Sequence, residues 1–146
     1  AAVRLGAHRP GIATVAAFKQ ALLSARVVAV PASTSGIYLT SDLFPRLGIA
    51  EKLNTRITPR GTQSAALVAA GDADIAVQPI SELLRAPGLE FLGPIPEELQ
   101  LIQTFSAAVV RGSKELEASR GLIAFLASGR AAAAIRSNGM EPVHIQ

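Results

Sequence analysis

Apolar positions along this chain alternate between short unbroken runs and segments with helical spacing. Residues 2–5 open with a short strand pattern, and His8-Arg-Pro-Gly11 reads as a turn. Thr14 then stands as N-cap before the stripe Val15, Phe18, Leu22 and Ala25, the spacing of an amphipathic helix. Residues 27–30 (Val-Val-Ala-Val) form a continuous apolar run, as expected of a strand buried on both faces. Leu39, Leu43 and Leu47 lie four apart on one helical face. Pro45 removes a helical hydrogen bond, so this helix is expected to be short or kinked, with Gly48 ending it.

Further along, 54–58 reads as a weak strand and 64–70 as a helix closed by Gly71. Residues 74–78 read as a strand, 79–82 as a brief helix with Pro79 at its first position, and 89–92 as a strand. Residues 101–110 are the longest strand expected. Ser113 is placed to cap a helix carrying Leu116, Ile123 and Leu126. Ser128 or Gly129 begins another over 130–137, with Asn138-Gly139 as its C-terminal signal. Strands alternating with helices predict an α/β layered fold. There is no internal repeat.

Composition narrows this picture. The chain has 146 residues, enough for one domain or one compact lobe. Nearly half the residues are apolar (49%), but aromatics are limited to five Phe and one Tyr, so the core must be Ala, Leu, Val and Ile. The formal charge of +3 comes from singly scattered Arg and Lys, with no basic run, which argues against a nucleic-acid partner. Cysteine is absent, which excludes disulfides and thiolate metal sites. No apolar run reaches the roughly 20 residues that span a bilayer. The start Ala-Ala-Val-Arg, without Met or a signal sequence, suggests a mature, processed or fragmentary chain.

The chemistry worth marking lies at strand-to-helix junctions. Ser33, Thr34, Ser35 and Gly36 follow the 27–30 run, and Gly61, Thr62 and Gln63 follow the 54–58 strand. Backbone N–H groups at a helix start, with small hydroxyls beside them, can hold an anion without a charged side chain. In a layered α/β sheet such turns gather at one edge. The plain alternative is that these Ser and Thr residues only cap helices. Gln78, before Pro79, would place its amide at the same edge. Arg60 is expected to be a solvated surface residue, and Tyr38 a half-buried packing residue.

Catalytic signals are weak. The two histidines, His8 and His144, sit near the two ends, and Ser64 or Ser81 lacks a local partner. No nucleophile elbow, zinc motif, Walker loop or dinucleotide fingerprint is present, so no cofactor and no enzymatic activity are expected.

The stretch Gly71-Asp-Ala-Asp-Ile-Ala-Val-Gln-Pro-Ile-Ser-Glu82 carries a resemblance. With Leu43-Phe-Pro-Arg-Leu-Gly-Ile-Ala50 before it and Leu92-Gly-Pro-Ile-Pro-Glu-Glu-Leu99 after it, it resembles molybdate-type (ModA-like) periplasmic solute-binding proteins of bacterial ABC importers. Ala124-Phe-Leu-Ala-Ser128 and Asn138-Gly-Met-Glu-Pro142 are similar to that family's closing helices. The likeness implies a type 2 periplasmic binding fold, of which this chain is one three-layer αβα lobe with a mixed sheet.

On this resemblance 1–8 is a crossover strand, 9–100 the second α/β lobe, and 101–146 a return hinge strand with C-terminal helices. It implies a non-enzymatic receptor, periplasmic or lipid-anchored, that presents a small oxyanion such as molybdate to a membrane permease. The ligand-binding residues implied are Ser33, Thr34, Ser35, Gly36, Gly61, Thr62, Gln63 and Gln78. Two departures stand out. Molybdate binders often have Tyr where Gln78-Pro79 stands, which leaves the oxyanion open and admits a small organic acid. The family's preceding half, most of the first lobe, has no counterpart here, so the stripe Leu116, Ile123 and Leu126 would seek another partner, and a homodimer through the C-terminal helices is expected. A second reading is the effector-binding domain of a transcription regulator, which uses the same fold.

Overall fold

A computed structural model describes residues 1–59 and 63–143. The chain divides into two compact units, Ala1–Leu101 and Ile102–Gln146. The first unit is built on a five-stranded mixed sheet in the order β3-β2-β4-β1-β5. Its strands are β1 (Ala2–Arg4), β2 (Val28–Pro31), β3 (Thr55–Thr58), β4 (Ile75–Ala76) and β5 (Leu89–Phe91). β2 is parallel to both β3 and β4, whereas β1 is antiparallel to β4 and β5.

Side-chain alternation on these strands explains the layers. Val3, Val28, Val30, Ile75 and Val77 face one core, which also holds Phe18 and Leu22 of α1 (Val15–Ser24). Leu39, Leu43 and Phe44, from the helical run after β2, join that core. The intervening Ala2, Ala29 and Ala76 face the other way, against Ala65 and Val68 of α4 (Gln63–Ala70) and Leu83 of α5 (Ile80–Leu83). One face is thus branched and bulky and the other nearly all Ala, so α4 can lie close to the sheet. The result is a three-layer α/β lobe, as the alternation of patterns predicts.

Local signals account for most element ends. The Thr14 hydroxyl accepts from the Ala17 N–H (3.1 Å), the expected N-cap of α1. After β2 the chain forms α2 (Thr34–Tyr38), a π-helical turn (Leu39–Leu43) and α3 (Phe44–Arg46) in succession. The interruption expected from Pro45 takes the form of this widened turn, in which the Phe44 N–H reaches back to Leu39 O. Widening the turn just before a proline gives room to a ring that would otherwise crowd the carbonyl of Ser41. Gly48 (φ 66°) then reverses the chain. Pro79 precedes α5 as its N-cap residue and is not its first helical position.

Residues 101–110 depart from expectation. They form no strand, and Leu101, Ile102, Phe105 and Val110 are exposed. A β-branched, apolar sequence fits a strand, but a strand exists only when a neighbour shares its hydrogen bonds. Among the described residues none does.

The second unit contains α6 (Leu116–Ala127) and α7 (Gly129–Ser137), packed on each other. Ser128 is the N-cap of α7, its hydroxyl accepting from the Arg130 N–H at 3.3 Å. Ser113 does not cap α6 directly. Its hydroxyl accepts from the Glu115 N–H, one residue before the helix starts.

Candidate functional site

Strand direction decides where chemistry can gather. β2, β3 and β4 are parallel, so the turns that follow them leave from one edge of the sheet. β5 runs antiparallel to β1 and ends at that edge, while β1 begins there. The helical run after β2 packs on the bulky face, and α4 and α5, which follow β3 and β4, pack on the Ala face. The chain therefore leaves neighbouring strands toward opposite sides, which opens a crevice at the end of β2.

The turn after β2 occupies that crevice. The first intrahelical hydrogen bond of α2 runs from the Ile37 N–H to Ser33 O at 2.9 Å, so the N–H groups of Thr34, Ser35 and Gly36 precede it. Ser33 is the N-cap residue, yet its hydroxyl caps no backbone N–H and instead lies 3.1 Å from the Ser35 hydroxyl. The capping explanation for Ser33 therefore does not hold. Gly36 is required by space rather than by backbone angle. A Cβ there would fall 1.6 Å from Pro31 O, so only glycine lets the helix start pack against the strand end.

The neighbouring turns differ in what they offer. Gln63 is exposed at the first position of α4. Arg60, Gly61 and Thr62, expected to share its role or lie in solvent, fall outside the described residues, as does His144. Ser64 is fully buried and its hydroxyl lies 2.6 Å from that of Thr58, which also donates to Val30 O at 3.4 Å. This pair ties β2, β3 and α4 together at the edge. It also removes Ser64 from consideration as a nucleophile.

At the end of β4, Gln78 is 8% exposed and its Nε2 donates to Glu82 Oε2 at 2.6 Å. The register Ala29↔Ala76, extended by the bond from the Val77 N–H to Ala29 O, brings Gln78 alongside Pro31. The separation is about one strand spacing, roughly 4.8 Å. Ser33, Thr34, Ser35, Gly36, Gln63 and Gln78 thus belong to one edge. Glu82, which the sequence reading passed over, belongs with them.

Other features fall away from this edge. His8 follows β1 in the turn that leaves the opposite edge, and is exposed. Tyr38 is half-buried, donating to Leu99 O (3.0 Å) and accepting from Arg46 (3.2 Å), which makes it a brace between α2 and the turn at Glu97–Leu99. A shallow groove of about 250 Å³ beside α2 is lined by Pro31, Ala32, Gly36, Ile37, Thr40 and Ile57. Its walls are mostly apolar, and the Thr40 hydroxyl is committed to Gly36 O at 2.9 Å, so it does not suit an anion. Among the described residues no cluster of His, Asp or Glu is arranged to hold a metal ion.

Comparison with known proteins sets this edge in context. Residues 1–141 match the model of the bacterial extracellular solute-binding proteins. The chain belongs to that family. It is also 41% identical to an aconitate isomerase from a Pseudomonas species over 147 residues, covering 99% of this chain and 56% of the relative. The chain thus spans little more than half the length of that relative. No solved structure matches it. The resemblance read from the sequence holds at the level of a solute-binding protein. The expectation of a non-enzymatic chain is overturned, because a relative this similar is named as an enzyme. Motif searches look for nucleophiles, metals and cofactors, and an isomerase need use none of them.

Proposed function

We propose that this chain is one jaw of an extracytoplasmic protein that binds a small polycarboxylate and isomerises it, with aconitate as the first substrate to test. The observation that carries this reading is 41% identity sustained over 99% of the chain. Aconitate is an unsaturated tricarboxylate, and each carboxylate calls for hydrogen-bond donors. The N–H groups of Thr34, Ser35 and Gly36 and the hydroxyls of Ser33 and Ser35 form a donor set of the right kind. Gln63 extends it along the edge, while the Gln78 amide is committed to Glu82. The remaining contacts would come from an opposing lobe, whose closure the ligand would favour by binding the closed state better than the open one.

The isomerisation itself asks little of the protein. One hydrogen leaves the methylene carbon on one side of the allyl unit and one is added on the other side, so the double bond moves by one position. A single positioned base suffices for that exchange. The family's solute-binding description also favours a second reading, delivery of the same acid to a membrane permease.

The test is direct. The protein is incubated with cis- or trans-aconitate and followed by proton NMR, and its melting is measured with aconitate, citrate and molybdate. Interconversion from either side is expected, with aconitate stabilising the fold by about 2.7 kcal/mol at a hundredfold excess over Kd. Absence of both effects ends this reading. Stabilisation by molybdate alone would restore an inorganic oxyanion as ligand.

A further inference from the structure

We propose that Glu82 is the carboxylate that moves the proton in this isomerisation, and that Gln78 is its positioning residue. The assignment rests on the isomerase reading above and deepens it. Glu82 lies in the first turn of α5, immediately after the strand end that meets the crevice, and is half-buried. The Gln78 amide fixes Oε2 at 2.6 Å, and Oε1 takes no hydrogen bond among the described residues. A neutral amide orients the carboxylate without cancelling its charge, as a guanidinium would.

The other carboxylates of this unit are placed for different work. Asp74 is bound to Arg26 (2.7 Å) at the start of β4, the opposite edge, with Asp72 two residues before it. Asp42 pairs with Arg46 and Glu90 with Arg9. Glu51, Glu97 and Glu98 sit exposed on short helical turns. Asp74 and Glu90 are half-buried as well but are paired with arginines, whereas Glu82 is held by an amide on the strand end next to the one that carries the donor-lined turn.

Its position is otherwise unfavourable. A carboxylate on the same sheet edge as a row of N–H donors repels an anionic ligand, and a simple receptor for oxyanions gains nothing from it. An isomerase needs it. In the step, Glu82 takes a proton from the methylene carbon between the double bond and a carboxylate. The electrons of that C–H bond form the new double bond, and those of the old one take the same proton back from Glu82 at the far carbon. One C–H bond breaks, one forms, and Glu82 returns to its carboxylate form.

Steady-state kinetics with aconitate and calorimetric binding on the full protein test this. Glu82→Gln is expected to lower kcat by roughly 10²–10⁴-fold while aconitate binds as tightly as before, or more tightly. Gln78→Leu should lower kcat by about tenfold with KM within about twofold and melting unchanged, and Gln78→Asn should recover part of the rate. If Glu82→Gln does not fold, Glu82→Asp decides, with a loss of roughly 10-fold or more expected. A Glu82→Gln enzyme within threefold of wild type, or Glu82→Asp at full rate, overturns the assignment and leaves the isomerase reading intact. Loss of binding along with rate makes Glu82 a binding group and also overturns it. A wild-type protein that does not isomerise aconitate overturns both.

Discussion

The two units of this chain spend similar residues on different ends. In Ala1–Leu101 the large apolar side chains Phe18, Leu22, Leu43 and Phe44 are at most 1% exposed. In the second unit Leu116, Leu122, Phe125 and Leu126 are each more than 40% exposed, and among its described residues only Ala131 and Ala132 are buried. Both sets follow helical spacing. The difference lies in what each helix has to pack on. A sheet offers two faces and takes a helix layer on each, so the main apolar stripes of the first unit find a surface, although Leu5, Ile37 and Ile57 stay exposed. Two helices offer each other one narrow seam, and whatever apolar surface exceeds it stays in water. Helical periodicity measures readiness to be buried, and a partner decides whether burial happens.

Glycine gives the sharpest way to break this comparison. In the first unit Gly36 packs against Pro31 O so closely that a Cβ would overlap it. The obstacle is backbone on β2, an interior strand paired on both sides, which cannot swing aside. Gly36→Ala should therefore cost about 3 kcal/mol, and lower melting by roughly 10–20 °C, by forcing α2 away from β2. Gly11, in the same unit with nothing within 4 Å of a new Cβ and no positive φ, is the control and should tolerate Ala within about 0.5 kcal/mol. Equal effects at the two positions would mean that the β2–α2 junction is not tightly packed.

The junction also shows where sequence reading succeeds and where it stops. The apolar run at 27–30, the small hydroxylated turn and the glycine that ends it are all local signals, and they locate the crevice. Gly48 and Gly71 mark helix ends because their positive φ is a local requirement. The Thr58–Ser64 pair and the Gln78–Glu82 contact were not legible, since their roles depend on which side of the sheet the next helix takes. Residues 101–110 misled for a related reason. Their composition suits a strand, and pairing is not a property of composition. A catalytic carboxylate of the kind proposed carries no spacing motif, which is why the chain read as a receptor without chemistry.

A smaller effect tests the opposite sheet edge. Asp74 accepts from the Arg26 backbone N–H at 2.5 Å and from its guanidinium at 2.7 Å, joining the start of β4 to the entry of β2. Burial pushes the Asp74 carboxyl up, but the hydrogen bonds from Arg26 and its charge outweigh this and hold the carboxyl below its ordinary value. The ionised form is thus favoured by folding. Its contribution is complete above the unfolded value of about 3.9 and fades as pH falls below that toward the folded value. Asp74→Asn should cost about 1 kcal/mol near pH 7, and its deficit against wild type should shrink below about pH 4. A deficit that persists unchanged at pH 3 would show that side-chain shape, and not charge, makes the connection.

The smallest effect is also the one with the opposite sign. Gly121 sits inside α6, with nothing within 4 Å of an added Cβ and without a positive φ. Its residue type is therefore set by helix propensity alone. Glycine in a helix interior is less favourable than alanine by roughly 0.8–1 kcal/mol, chiefly because the unfolded chain has more freedom to lose. Gly121→Ala should raise the helix content of the second unit, read by circular dichroism or by slower amide exchange across α6. It should leave the melting of the first unit within about 0.5 kcal/mol of wild type. The same substitution would then destabilise where a sheet presses against the helix and stabilise where solvent does. If Gly121→Ala instead destabilises the protein as Gly36→Ala does, another surface packs on that face of α6, and the contrast between the two units fails.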